Sequence, residues 1–399
     1  MSKALLMALC LLCATAQAET KVNFSGDAYV RGYFKNSTGP DGTQAFNQFF
    51  RLNVDAKPDD NLTIKTGLVL SSETWEGDTH KLVTSTAPGT AIGGTNEDGT
   101  GNGNITHLDH AVIEYKKDGW ITSVGRHAVT TPGCFLTCDD RRDRVQVLKI
   151  LKDYSVVAFA YDKRGEGALN NSRDDLDMFS VNYYGLTENF KYALQTGYWV
   201  SKKYDANTFV NSAVNLDNIK QVSPQIEGKL LGVDYNFYYT LLFGGSALYK
   251  NDHHAFALKL AHDFDIVKIE AQSILTINGG LIAGGFDSLS SIINNNPDHN
   301  QSSIKLRTIG FGLGIVKKDE SVHMLRVSKN ITTDLSVSLG GGYTKILTAV
   351  AGTTLEENKI VDATAKYAFS KSLNLAAAYG KFFGDNKDAA GSLTVNANF

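Results

Sequence analysis

The chain closes on Gly391-Ser392-Leu393-Thr394-Val395-Asn396-Ala397-Asn398-Phe399. Leu393, Val395, Ala397 and Phe399 share one parity; Thr394, Asn396 and Asn398 share the other. Successive side chains of a β-strand point to opposite faces, so a strand here is oily on one side and lined by hydroxyl and amide groups on the other. The termini of water-soluble domains usually fray into polar coil. An alternating strand that ends on an aromatic residue predicts an outer surface that meets something other than water.

Outward from the tail, the same alternation recurs almost from end to end. Phe24, Gly26, Ala28, Val30, Gly32 and Phe34 alternate with Ser25, Asp27, Tyr29, Arg31, Tyr33 and Lys35. Phe50-Leu52-Val54-Ala56 and Leu62-Ile64-Thr66-Leu68 continue the pattern, as do runs at 179–183, 190–194, 231–237 and 267–271. Further runs lie at 309–315, 335–339, 361–369 and 373–379. Any one of them also fits a half-buried strand of a soluble sheet; their number makes the argument. Mean hydropathy is only −0.18, and after residue 18 no stretch reaches the ~18 consecutive apolar residues of a membrane helix. A membrane protein of this composition is a barrel, in which only every second strand residue meets lipid. The 37 glycines and six prolines suit long hydrogen-bonded strands joined by turns.

The N-terminus agrees with that destination. Met1-Ser2-Lys3 is a short basic region, Ala4 to Ala14 is unbroken apolar sequence, and Ala16-Gln17-Ala18 is a small-x-small cleavage pattern. Residues 1–18 are expected to be a signal peptide and 19–399 one barrel domain. Leu9 and Leu12 stand before Cys10 and Cys13, where a lipobox needs a small residue, so lipidation is not expected. Cleavage leaves two of the four cysteines, Cys134 and Cys138, and makes the net charge of −3 one unit more negative through loss of Lys3. A mildly acidic chain argues against a nucleic-acid partner.

Connections fall into two classes. Short polar ones sit at 57–61, 116–119, 185–189, 330–334 and 370–371; long Gly/Asn/Ser/Asp-rich ones at 75–105, 202–225 and 277–302. Shorter loops lie at 36–45, 165–175, 347–357 and 384–390. Short turns on one rim and long loops on the other are the asymmetry of a transmembrane barrel. Phe46, Tyr115, Trp120, Tyr154, Phe190 and Phe369 lie near strand ends, where interfacial girdles belong. The census gives about 19 candidate strands, but two ends on the same side of a membrane require an even number. The excess falls in 253–329, where strand direction around Lys317-Lys318-Asp319-Glu320 is not fixed. The expectation is an all-β, single antiparallel transmembrane barrel of 16–18 strands, 18 preferred.

The tail resembles the terminal strand of bacterial outer-membrane β-barrels, which typically ends in Phe and serves as an assembly signal; Phe399 takes that role. With the signal peptide and the segment after Val124-Gly125-Arg126, the whole mature chain resembles the general and major outer-membrane porins. The resemblance implies a bacterial outer-membrane location, periplasmic turns, extracellular loops and a homotrimer. It also implies lipopolysaccharide and phospholipid as neighbours, and handling by the barrel-assembly machinery. In such porins a loop folds into the barrel, setting carboxylates against basic residues of the facing wall. On that model the loop is 127–144. Asp139 and Asp140 are its acids, with Asp143 a lesser candidate, and Arg31, Arg51 and Lys65 are the wall bases. Arg126, just before the loop, is grouped with them at the constriction. The plain alternative is a set of solvated ion pairs on an exposed loop.

Cys134 and Cys138 have three residues between them and sit in an exported, oxidising context, so a loop-stiffening disulfide is expected. A redox or metal pair is the alternative, but no second cysteine pair or histidine cluster completes a four-ligand site. His107 and His110 would face opposite ways along a strand, Asn96-Glu97-Asp98-Gly99 lacks full EF-hand spacing, and Asn61-Leu62-Thr63 is a short sequon that arises by chance. Neither metal nor cofactor is expected.

These observations point to a porin: an aqueous lumen for passive diffusion of ions and small hydrophilic solutes, biased by lumen charge, and not an enzyme. A substrate-specific channel stays open through Tyr29 and Tyr33. A structural or adhesin barrel with a closed lumen fits the long loops equally well. Barrel hydrolases use about 10–12 strands, too few for this length. Ion preference is open, because Arg31, Arg51 and Lys65 share the inward parity with Asp27 and Asp55.

Overall fold

The computed structural model describes residues 20–36, 43–74, 107–135, 140–165, 176–201, 218–244, 252–278, 288–293, 306, 319–348 and 355–399. The strands of the first half are β1 (Lys21–Asn36), β2 (Thr43–Lys57), β3 (Leu62–Thr74), β4 (His107–Lys117), β5 (Trp120–Val129), β6 (Asp140–Ile150), β7 (Val156–Gly165), β8 (Leu176–Leu186) and β9 (Phe190–Ser201). Those of the second half are β10 (Ile219–Leu230), β11 (Val233–Gly244), β12 (His253–Phe264), β13 (Val267–Ile277), β14 (Asp319–Asn330), β15 (Leu335–Thr348), β16 (Glu357–Ala368), β17 (Leu373–Gly384) and β18 (Ala389–Asn398). Each pairs antiparallel with the next, and β18 pairs with β1, so the sheet closes on itself. Closure leaves no strand edge, which is what lets a sheet sit in hydrocarbon.

Alternation decides which face is which. Phe24, Ile113, Phe159, Phe179, Leu325, Leu339, Val361 and Leu393 are large apolar residues left exposed. They face out of the barrel, and the side they take alternates along the strands except at irregularities such as the one in β4, where Leu108 and Ile113 are both exposed. So much exposed apolar surface is untenable in water and belongs against lipid. The opposite parity carries Arg31, Asp162, Gln195, Gln225, Glu270 and Asp362, all buried, and faces the lumen.

The strand number is 18, within the expected range and even. Two differences from the sequence reading have local causes. Leu231, read as the start of an alternating run, is in a two-residue turn with Gly232, both at positive φ (50° and 82°), and is 94% exposed. A leucine at that position carries no turn signal of the Asn-Gly kind. The segment 202–225, read as one loop, already contains the first residues of β10, because Pro224 and a mixed polar composition mask the strand. In the ambiguous stretch 253–329, β14 begins inside the Lys317–Glu320 cluster at Asp319, while the apolar run at 309–315 lies outside the described residues.

Candidate functional site

Inside the barrel the two halves differ. Along the inner faces of β1–β8 the sequence supplies charge. Arg51 donates from Nε to Asp27 Oδ1 (2.8 Å) and from Nη1 to Asp109 Oδ2 (3.2 Å). Asp109 sits where β3–β4 pairing shifts register, and Arg141 grips both its oxygens, at 2.6 and 2.8 Å. Lys65 lies 3.1 Å from Glu114, which also meets Lys116 at 2.9 Å. Arg31 is almost fully buried, donating to Thr394 Oγ1 at 3.3 Å beneath a cation–π contact with Tyr29.

A second group lies on β6 and β7. The Asp162 carboxylate is 0% exposed. Arg144 embraces it with Nε on Oδ1 and Nη2 on Oδ2 (2.8 Å), and Arg142 adds Nη1 on Oδ2 at 3.0 Å. A buried carboxylate needs this many donors to stay charged. Arg142 and Arg144 line a cavity of about 330 Å³ with His127, Gln146, Asn182, Gln195, Gln221 and Trp199. A neighbouring cavity of about 250 Å³, nearer the short-turn rim, is lined largely by apolar groups including Pro132, Val156, Leu186 and Tyr238; Tyr184 borders both.

The β11–β18 half is filled. The β5–β6 connection enters the lumen as a 3-10 turn at Pro132–Cys134. Gly133 (φ 62°) sits so close to Tyr238 that a Cβ would fall 2.2 Å from the ring, and Phe135 stacks on the same ring at 5.4 Å. Residues 288–293 of the long β13–β14 connection are all buried. Leu289, Ile292 and Ile293 pack with Phe135, Tyr238, Ala255, Ile274, Met324 and Phe382 in one apolar core inside the barrel.

Of the residues singled out from sequence, Arg31, Arg51 and Lys65 face the lumen on the first three strands, but Arg51 and Lys65 are engaged with wall carboxylates. Arg126 does not join them. It has the parity of Trp120 and Val124, opposite to His127, and its partners are Asp143 (3.6 Å) and the Asp109 carbonyl (3.2 Å). Asp143 shares the outward parity of Val145. Alternation from Val124 carries this placement in the sequence. Cys134 is disulfide-bonded. Asp139, Cys138 and the side chain of Asp140 lie outside the described residues, as does 96–99. Sequence reasoning passed over Arg142, Arg144 and Asp162, although Arg142, Arg144 and Gln146 alternate with outward Val145. Among the described residues no group of three or more His, Cys, Asp or Glu is placed to hold a metal.

Eighteen strands closed on themselves, oily outside and charged within a loop-narrowed lumen, define a transmembrane β-barrel channel of the bacterial outer membrane. The family model described as Gram-negative porin matches residues 4–389, and the chain belongs to that family. Among solved structures, Pseudomonas aeruginosa OccK9 (OpdG) is similar with TM-score 0.64 at 12% identity, covering 95% of this chain and 98% of its own. Acinetobacter baumannii OccAB4 gives 0.60 at 13%, covering 96% and 99%. Pseudomonas aeruginosa OpdK, solved with vanillate, gives 0.61 at 12%, covering 94% and 98%. At these identities the likeness is one of fold. No curated protein matches the chain. The protein is a porin, passing ions and small hydrophilic solutes by passive diffusion.

Proposed function

We propose that the conducting path follows the β1–β10 wall and favours small anionic solutes. The carrying observation is the pair of guanidinium groups, Arg142 and Arg144, that meet at Asp162 and line the 330 Å³ cavity. Fixed charge in a narrow, low-dielectric passage acts on a solute more strongly than the same charge in bulk water. Reversal potential in a salt gradient tests this: anion preference is expected, and cation preference in the wild-type channel would sink the reading.

Asp139 and Asp140 are retained as the loop acids of the constriction. Replacing both by Asn should move selectivity further toward anions, and an unchanged reversal potential would place them elsewhere. The reading also takes the channel to be without enzymatic turnover. It takes residues 1–18 to be removed on export, and the assembly to be a homotrimer amid lipopolysaccharide and phospholipid, inserted by the barrel-assembly machinery through the Phe399 strand. Chemical crosslinking in outer membranes should give a three-subunit band.

A second reading, selectivity for particular solutes, draws on the shared border of the two cavities. The arginine-lined cavity and the largely apolar one meet at Tyr184, so a small anion with an apolar body fits both. Benzoate should then reduce chloride current at concentrations where acetate does not; equal effects would favour simple diffusion.

A further inference from the structure

Ser288–Ile293 has no regular secondary structure, yet five consecutive backbone N–H groups have side-chain acceptors. Leu289 donates to Gln272 Oε1 (2.8 Å) on β13 and Ser291 to Asp362 Oδ2 (2.8 Å) on β16. Ser290 donates to Ser288 Oγ (3.1 Å), and Ile292 and Ile293 both donate to Ser290 Oγ (3.2 Å each). Irregular backbone at membrane depth persists where its polar groups are met in this way. The wall is shaped to receive it. Gly380 on β17 faces inward, and a Cβ there would stand 2.6 Å from Ile292 Cγ2 and 3.1 Å from Ser291 Oγ. Asp362 is fully buried, its other oxygen held by Arg326 Nη2 at 3.2 Å.

We propose that Asp362 and Gly380 form a built seat whose occupant is the chain's own 288–293 segment, and that this seat sets the bore of the channel. Asp362 is a positioning residue: it touches no solute, but by capturing the Ser291 N–H it keeps the segment against β13–β17. The apolar patch of that wall, formed by Ile274, Met324, Ile360 and Phe382, is covered by the segment, whereas the wall of a water-filled lumen is polar. With the seat empty, the part of the cross-section against β13–β17 that the segment covers would open to water.

The inference rests on the protein being a channel, and single-channel recording separates the two. Gly380→Val fills the seat without changing charge, and Asp362→Ala removes the acceptor. Each should raise conductance, as a larger open cross-section does, and admit larger polyethylene glycols. Asp362→Asn keeps an oxygen for the Ser291 N–H and should stay near wild-type conductance. Folding is scored by heat-modifiable migration on gels. If Gly380→Val yields no folded barrel, Asp362→Ala decides, because it adds no bulk. Folded Asp362→Ala with wild-type conductance and size cut-off would overturn the seat while leaving the channel intact. A silent, folded wild-type barrel would instead remove the channel reading and the seat with it.

Discussion

Phe399 and Gly26 are joined in both directions: Gly26 N donates to Phe399 O at 2.8 Å, and Phe399 N donates to Gly26 O at 3.1 Å. The chain's last residue thus extends the β1–β18 pairing by one step at the point of barrel closure. Its ring lies over the glycine, where a Cβ would fall 2.3 Å from Phe399 Cζ.

Bulk at position 26 should therefore disturb closure from the outer face. Gly26→Val is expected to destabilise the barrel by about 1–3 kcal/mol through overpacking. Phe399→Ala, which keeps the backbone bonds but loses the ring contact, should cost about 1 kcal/mol. Urea titration followed by heat-modifiable migration measures both. A larger loss for Phe399→Ala than for Gly26→Val would show that the ring matters for some reason other than its seat on the glycine.

The disulfide at Cys134 makes a mass prediction. If the mature chain begins at Glu19 and Cys134 is paired with Cys138, alkylation of denatured, unreduced protein adds nothing, and alkylation after reduction adds two groups. Intact mass spectrometry reads both. Adducts without reduction would break the pairing, and four adducts after reduction would mean that the first 18 residues are kept.

Alternation made the barrel and its facing legible in the sequence, because a period of two is a local property that tertiary context does not erase. It fails where both parities are apolar. In β17, Ala376, Ala378, Gly380 and Phe382 oppose Leu375, Ala377, Tyr379 and Phe383, so neither face is polar. That was a signal that something covers the inner wall, but the occupant lies some 90 residues away and no local pattern names it. The Asp162 group escaped for a related reason. Arg142 and Arg144 stand in a string of charges whose separate fates depend on parity, and their acid partner is on the next strand.

That acid should be structurally expensive to remove. Asp162→Ala takes from Arg142 and Arg144 the fully buried carboxylate that they share. Breaking one partner of a buried pair typically costs about 3–5 kcal/mol. Asp143→Ala, whose carboxylate is mostly exposed beside Arg126, should cost under about 1 kcal/mol. Unfolding midpoints in urea compare the two; equal losses would contradict the burial assigned to Asp162.

Arg126 and Arg142 give the sharpest test of facing, since each carries the same charge and they lie on neighbouring strands. Arg126 shares its side with Trp120 and Val124, which are exposed to the outside, while Arg142 lines the lumen cavity. A charge on the lipid side is separated from permeating ions by the sheet and is screened at the rim, whereas one in the passage acts on every ion that passes. Arg142→Gln should lower the anion-to-cation permeability ratio by about twofold, and Arg126→Gln should leave it unchanged. Reversal potentials at equal protein folding decide between them. A shift from Arg126→Gln as large as that from Arg142→Gln would mean that sequence nearness to the loop, rather than strand parity, had located the constriction.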